Sequence, residues 1–224
     1  MEFRFPVFLD LTGKKCLVTG EGFEVAGKVQ ALVDAGAHVT YVNPTAEEAI
    51  RQLAASGAVR WIQRDFEPGD LDGCFLVITD REDNSDVFRL AEQQRVLCNA
   101  VDDPPHCRFS FPTVHRQGDL TIAVSTNGCA PAMAVRLKQR FQRDVGPEYG
   151  ELLAMLKRIR PEISERIAGF EARRELWYRI VDSSALEFIR SGERDKAQSA
   201  IRDLIEAAVS STSHSRTSGD SVDL

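Results

Sequence analysis

The chain reads as an α/β protein: a Rossmann-type parallel-sheet domain, then a small antiparallel and helical region, then a helical C-terminal domain. Three observations predict this. Short apolar runs alternate with helical patterns through the first part of the chain, the rhythm of a parallel sheet with helices on both faces. A glycine loop, Gly20-Glu21-Gly22, stands between the first apolar run and the first helical pattern. The rhythm stops at Pro104-Pro105, and from Pro131 onward the pattern is almost wholly helical.

Taken in order, Lys15 to Thr19 is a buried-strand run closed by the glycines. Val25, Val29, Leu32 and Val33 then share one helical face, and Gly36 terminates that helix. His38 to Val42 is the second strand, and Thr45-Ala46-Glu47-Glu48 has the form of a capping box opening a helix to about Ala55. Val59 to Ile62, Phe75 to Thr79 and Val96 to Val101 are further strands, with a helix from Asn84 to Gln94. Thr113 to His115 and Leu120 to Val124 flank a short loop and predict an antiparallel hairpin. Helices are expected over Ala132–Arg143, Glu148–Arg160, Glu162–Gly169, Arg173–Arg190 and Glu193–Ala208, with Pro131, Pro147 and Pro161 in first-turn positions.

The 224 residues are 43% apolar and 28% charged, a globular composition with chain enough for a core without disulfides. The net charge of −6 opposes a global attraction to nucleic acid or anionic lipid. No apolar run approaches the ~20 residues of a membrane span, and the N-terminus lacks a secretory pattern. The five cysteines form no C-x-x-C, which reads as reduced thiols and predicts a cytoplasmic protein. Cys98, His106, Cys107 and His115 match no zinc spacing, and no metal site is expected.

The glycine loop carries the chemistry of a dinucleotide site. Gly20 permits a tight turn, Gly22 lets backbone N–H groups approach a pyrophosphate, and the following helix N-terminus stabilises its charge. An ordinary strand-to-helix turn with two glycines is the plainer alternative. At the end of the second strand, where a carboxylate commonly holds the ribose, Asn43 stands with Pro44 and Thr45. With no Arg or Lys close by to take a 2′-phosphate, NAD is favoured over NADP.

Several segments in one order carry a resemblance: Phe5 to Leu11, the Gly20 loop, Asp34 to Thr40, Cys98 to Pro104, Phe111 to Val114 and Leu120 to Gly128. Together they resemble the precorrin-2 dehydrogenase / sirohydrochlorin ferrochelatase family, strongly from about Phe3 to Arg143 and in pattern beyond. The resemblance implies NAD-dependent dehydrogenation of precorrin-2 to sirohydrochlorin, then insertion of Fe²⁺ as co-substrate, in a cytoplasmic homodimer with no nucleic-acid or membrane partner. It places the catalytic carboxylate on Asp102, just past a parallel strand, where a carboxylate can accept a proton. A turn-capping role before the prolines is the plainer reading of that residue.

The implied cofactor positions are Gly20, Glu21, Gly22, Phe23, Glu24, Asn43, Pro44, Thr45, Thr79 and Asp80. The implied substrate positions are Arg116, Thr126, Asn127, Gly128, Arg136 and Arg140, within a stretch from Arg108 to Arg143 that is basic in an acidic chain. Arg136, Arg140 and Arg143 recur on one helical face, suited to a polycarboxylate or simply to solvent. The chain departs from the family at Glu21 and Val25 in the loop, at Thr126, and at Ala130. The expected division is a NAD-binding domain over 1–112, a dimerisation region over 113–146, a helical domain over 147–209 and a disordered tail over 210–224. A NAD-sensing regulatory module without catalysis is the competing function.

Overall fold

The computed structural model describes residues 5–217, with side chains described as far as 211. The chain divides at Phe111/Pro112 into two compact units. The first contains β1 (Lys15–Gly20), α1 (Phe23–Asp34), β2 (His38–Val42), α2 (Glu48–Ala55), β3 (Val59–Ile62), β4 (Leu76–Asp80), α3 (Ser85–Gln94) and β5 (Leu97–Ala100). Its strands form one parallel sheet in the order β3-β2-β1-β4-β5. The chain runs outward from β1 through β2 and β3, then crosses back to β4. The topological switch therefore lies between β1 and β4, and the edge past their C-terminal ends is where open α/β sheets bind ligands.

Strand alternation explains the two-sided core. On β1, Cys16 and Val18 turn to one face, where Val25, Val29 and Leu32 of α1 pack with Tyr41, Leu76 and Ile78. Leu17 turns to the other, against Val77, Val87, Ala91 and Cys98. A sheet buried on both faces needs near-continuous apolar strands, and the runs in β1 and β4 supply them. Each fully buried aliphatic side chain there contributes about 1.5–3 kcal/mol. Helix α1 ends as its sequence directs, with the Gly36 and Ala37 N–H groups donating to the carbonyls of Val33 and Leu32.

The second unit begins with the hairpin β6 (Thr113–Gln117) and β7 (Leu120–Val124), followed by α4 (Pro131–Asp144), α5 (Pro147–Arg166), α6 (Phe170–Val181), α7 (Ala185–Arg190) and α8 (Arg194–Thr217). Leu152, Leu156, Ile163, Leu176, Ile180, Ile189, Ala197, Ile201 and Ile205 form its core.

Four local expectations are corrected. Helix α5 continues through Pro161 rather than restarting there. Proline removes one backbone donor from a helix interior, but Leu152, Leu156 and Ile163, on either side of it, are anchored in the same core. The expected helix Arg173–Arg190 is two helices, because Ser183 donates its hydroxyl to the Ile180 carbonyl and accepts from the Ala185 N–H. The capping box at Thr45 does not form: α2 starts at Glu48 without a side-chain cap. Finally, α8 includes residues 210–217 of the expected tail; the rest of that tail lies outside the described residues.

Candidate functional site

At the switch point, Gly20 ends β1 opposite Asp80 at the end of β4. A Cβ on Gly20 would stand 2.1 Å from the Asp80 carbonyl oxygen, so only glycine lets the two strands come this close. Tyr41, buried at the end of β2, donates its hydroxyl to the Gly20 carbonyl at 2.6 Å and pins the loop. Burial pushes the Tyr41 phenol up to about 12, with the charges of Glu21 and Glu47 adding to it, so it remains a donor.

Gly22 is the N-cap of α1, at φ 112, and no side chain caps the helix. A Cβ there would meet nothing nearer than the Asp80 carboxylate at 3.9 Å. The result is an open cradle with unclaimed N–H groups and the positive end of a helix, the donor set that a pyrophosphate requires. A nicotinamide dinucleotide fits these residues. Glu24 extends on the exposed side of the helix start, and Phe23 is 90% exposed.

Glu21 turns away from that cradle. Its Oε1 accepts from Asn43 Nδ2 at 3.1 Å and from the Thr45 hydroxyl at 2.9 Å. These two donors hold its carboxyl below the usual carboxylate range. Asn43 is buried, and its own carbonyl accepts from Trp61 Nε1 at 2.9 Å. Pro44 lies exposed between Asn43 and Thr45. Glu21, Asn43, Pro44 and Thr45 thus gather at the end of β2, while Gly20, Gly22 and Asp80 lie at the ligand edge of the sheet beside it.

Thr79 is fully buried, its hydroxyl donated to Asn84 Oδ1 at 2.8 Å, so it faces the protein interior. Asp80 follows it at that edge. Burial, reinforced by the negative charges of Asp102 and Glu24, raises its carboxyl above the ordinary range, against the opposing pull of Lys28. Asp102 is exposed just past β5, in a left-handed backbone conformation with φ 53. Such a conformation costs a non-glycine residue roughly 1–3 kcal/mol and persists only where neighbours enforce it.

A polar network beside Asp102 along the chain was not apparent in the sequence itself. Asn84 accepts from the Arg81 N–H at 3.0 Å as well as from Thr79, and its Nδ2 reaches Asp103 Oδ2 at 3.4 Å. Asp103 Oδ2 lies 2.7 Å from His106 Nδ1, and the His106 ring meets the edge of Phe88 at 5.1 Å. The chain segment after β5 is therefore tied to the start of α3. An Asn-Ser pair before a helix and an Asp-x-x-His spacing were the only signals for it.

In the second unit, Arg116 projects from β6 and Arg136 and Arg140 from the outer face of α4, all exposed. Arg136 bonds Gln139 and Arg140 reaches Asp144 at 3.4 Å; Arg116 has no ion pair among the described residues. Thr126, Asn127 and Gly128 form the turn before α4, where the Thr126 hydroxyl accepts from the Ala130 N–H and Asn127 adopts φ 50. Arg108, counted in the basic stretch, is instead paired with Glu92 and stacked on Phe88 in the first unit. His115 is buried and donates Nε2–H to the Val145 carbonyl at 2.8 Å, a packing role. Among the described residues no group of three His, Cys, Asp or Glu side chains is arranged to hold a metal.

Residues 7–113 match an NAD(P)-binding family, 117–143 the central region of sirohaem biosynthesis proteins, and 148–205 the dimerisation region of sirohaem synthase. That last region falls on the helices α5 to α8. Similar proteins include the sirohaem synthases of Thioalkalivibrio sulfidiphilus, 35% identical over 93% of this chain, and of Nitrosococcus oceani, 33% identical over 90%. The chain spans 43% and 44% of their respective lengths. Among solved structures, SirC, a precorrin-2 dehydrogenase, superposes with a TM-score of 0.71 at 22% identity, covering 89% of this chain and all of that one. That similarity shows a shared fold.

Proposed function

From these matches we propose that the chain is a member of the sirohaem synthase family and that it dehydrogenates precorrin-2 to sirohydrochlorin with NAD⁺. The observation that carries the reading is one carboxylate, Asp102, exposed at the ligand edge of the sheet and close enough to Asp80 for their charges to interact. When bound, the nicotinamide supplies an acceptor for the hydride that leaves the macrocycle. Asp102 takes the proton lost with it, so that one hydrogen leaves as hydride and one as H⁺. The free N–H groups after Gly22 hold the pyrophosphate in place.

The substrate carries several carboxylates, and Arg116, Arg136 and Arg140 supply exposed guanidinium groups for charge-assisted pairing. Thr126, Asn127 and Gly128 offer hydroxyl, amide and backbone donors in the turn before α4. Fe²⁺ insertion into sirohydrochlorin follows in the same reading. Two pyrrole N–H protons must leave as the metal enters, and Asp102 is the acceptor assigned to them. The family's dimerisation region and its exposed apolar residues Phe170, Tyr178 and Val181 favour a homodimer. Cys16, Cys74 and Cys98 are free thiols, which suits a cytoplasmic location.

The test is absorbance after mixing the protein with precorrin-2 and NAD⁺, which reports sirohydrochlorin directly. Asp102→Asn keeps size and shape but removes the proton acceptor, and turnover should fall roughly 10²–10⁴-fold with NAD⁺ affinity little changed. Full activity in that variant would remove Asp102 from the mechanism. Tight NAD⁺ binding with no turnover in the unaltered protein would leave a NAD-sensing module.

A further inference from the structure

Rossmann-type domains hold the adenosine ribose with a carboxylate just past their second strand. Here β2 runs into Asn43-Pro44-Thr45, and no acidic side chain follows until Glu47 at the start of α2. The carboxylate comes instead from the glycine loop. We propose that Glu21 is the ribose-binding carboxylate of this domain and the residue that selects NAD⁺ against NADP⁺. The inference rests on the reading of the first unit as a nicotinamide-dinucleotide site.

Glu21 lies between two glycines of positive φ, a segment that can aim a side chain sideways toward β2 instead of forward into the phosphate cradle. Asn43 Nδ2 and the Thr45 hydroxyl both donate to the same oxygen, Oε1. Oε2 has no protein donor among the described residues, so it is the atom left to accept from a ribose hydroxyl. The clamp is itself held: Asn43 Nδ2 also donates to the Thr45 carbonyl at 3.0 Å, and Trp61 fixes the Asn43 backbone. Asn43 and Thr45 are thereby committed to positioning Glu21, which is a different use from contacting the ribose themselves.

The same arrangement sets specificity. Asn43 and Thr45 keep Glu21 ionised. Among the described residues no cation answers it: Arg51, the nearest basic residue in sequence after β2, is paired with Glu48 and bonded to the Ala46 carbonyl. A 2′-phosphate placed at Oε2 would set like charges against each other without compensation. Such juxtaposition costs several kcal/mol, equivalent to a discrimination of about 100-fold or more. A neutral ribose diol instead donates to the carboxylate. The placement also removes a conflict visible in the sequence, where an acid in the middle of a pyrophosphate loop would repel the cofactor.

Titration calorimetry of the full chain with NAD⁺ and with NADP⁺ tests this without reference to turnover. The unaltered protein should prefer NAD⁺ by about 100-fold or more. Glu21→Gln should weaken NAD⁺ about tenfold and lower the NADP⁺/NAD⁺ ratio of dissociation constants at least tenfold. Asn43→Ala, which releases the clamp and leaves the acid, should lower that ratio part of the way. An unchanged ratio in Glu21→Gln, or NADP⁺ bound as tightly as NAD⁺ by the unaltered protein, overturns the assignment while leaving a dinucleotide site. Binding of neither dinucleotide by the unaltered protein overturns the underlying reading as well.

Discussion

An alanine at position 20 drives a methyl group into the backbone of the adjacent strand. Its Cβ would stand 2.1 Å from the Asp80 carbonyl oxygen, 2.5 Å from the carbonyl carbon and 2.8 Å from the Asp80 nitrogen. None of these atoms belongs to a side chain that can swing aside. Relief requires β1 and β4 to separate by about 1.4 Å at the end of their ladder, since non-bonded heavy atoms settle at ~3.5 Å. Overpacking of this kind costs roughly 1–3 kcal/mol, and the Gly20 φ of 106 adds strain for any side chain, roughly 1–3 kcal/mol more. Gly20→Ala should therefore lose about 2–6 kcal/mol of stability.

Gly22 has a similar φ, 112, but its nearest neighbour would be 3.9 Å away. Gly22→Ala should lose only the strain component of about 1–3 kcal/mol, while its methyl group intrudes on the phosphate cradle and weakens NAD⁺ at least about tenfold. Urea unfolding read by Trp61 fluorescence in a Trp177→Phe background isolates the first unit, because Trp177 lies in the second. Calorimetry supplies the affinity. Equal stability losses in the two variants, or a Gly20→Ala protein as stable as the parent, would refute the steric argument.

Asp70 and Asp80 should give opposite pH responses. The Arg64 guanidinium holds the Asp70 carboxyl below the ordinary range, so its stabilising contribution is present above the unfolded value near ~4 and lost as pH falls through the folded one. Asp70→Asn should cost about 1–3 kcal/mol in urea unfolding at pH 7, with the difference shrinking in acid. Asp80 is raised by burial and negative neighbours, so folding opposes its ionisation; Asp80→Asn should stabilise at pH 7, and that gain should fade as pH falls through the folded value. The opposite trend at either site would show that the pairing is wrongly described. Light scattering at micromolar concentration should report twice the chain mass, and a monomer would contradict the proposed dimer.

Much of the fold was legible because its determinants are local. The apolar runs of β1 and β4, the helical face Val25-Val29-Leu32 and the Gly36 terminator each act within a few residues, and they specify element type and order. The loop glycines and the position of Asp102 just past a strand were legible for the same reason. Tertiary contact decided the rest. Glu21 faces Asn43 and Thr45 only because β1 and β2 are neighbours in the sheet, which joins residues 22 and 24 positions apart. That contact converts an apparent liability in the loop into a carboxylate at the ribose corner, and it diverts Thr45 from the helix cap its spacing suggested. Pro161 stays inside α5 because burial of Leu152, Leu156 and Ile163 in one core outweighs a single lost backbone bond. The network from Thr79 through Asn84 to Asp103 that accompanies the strained Asp102 backbone likewise spans separate segments. Periodicity reports how a residue relates to its own helix or strand, whereas the direction of a polar side chain is set by whichever distant partner the fold brings within hydrogen-bonding reach.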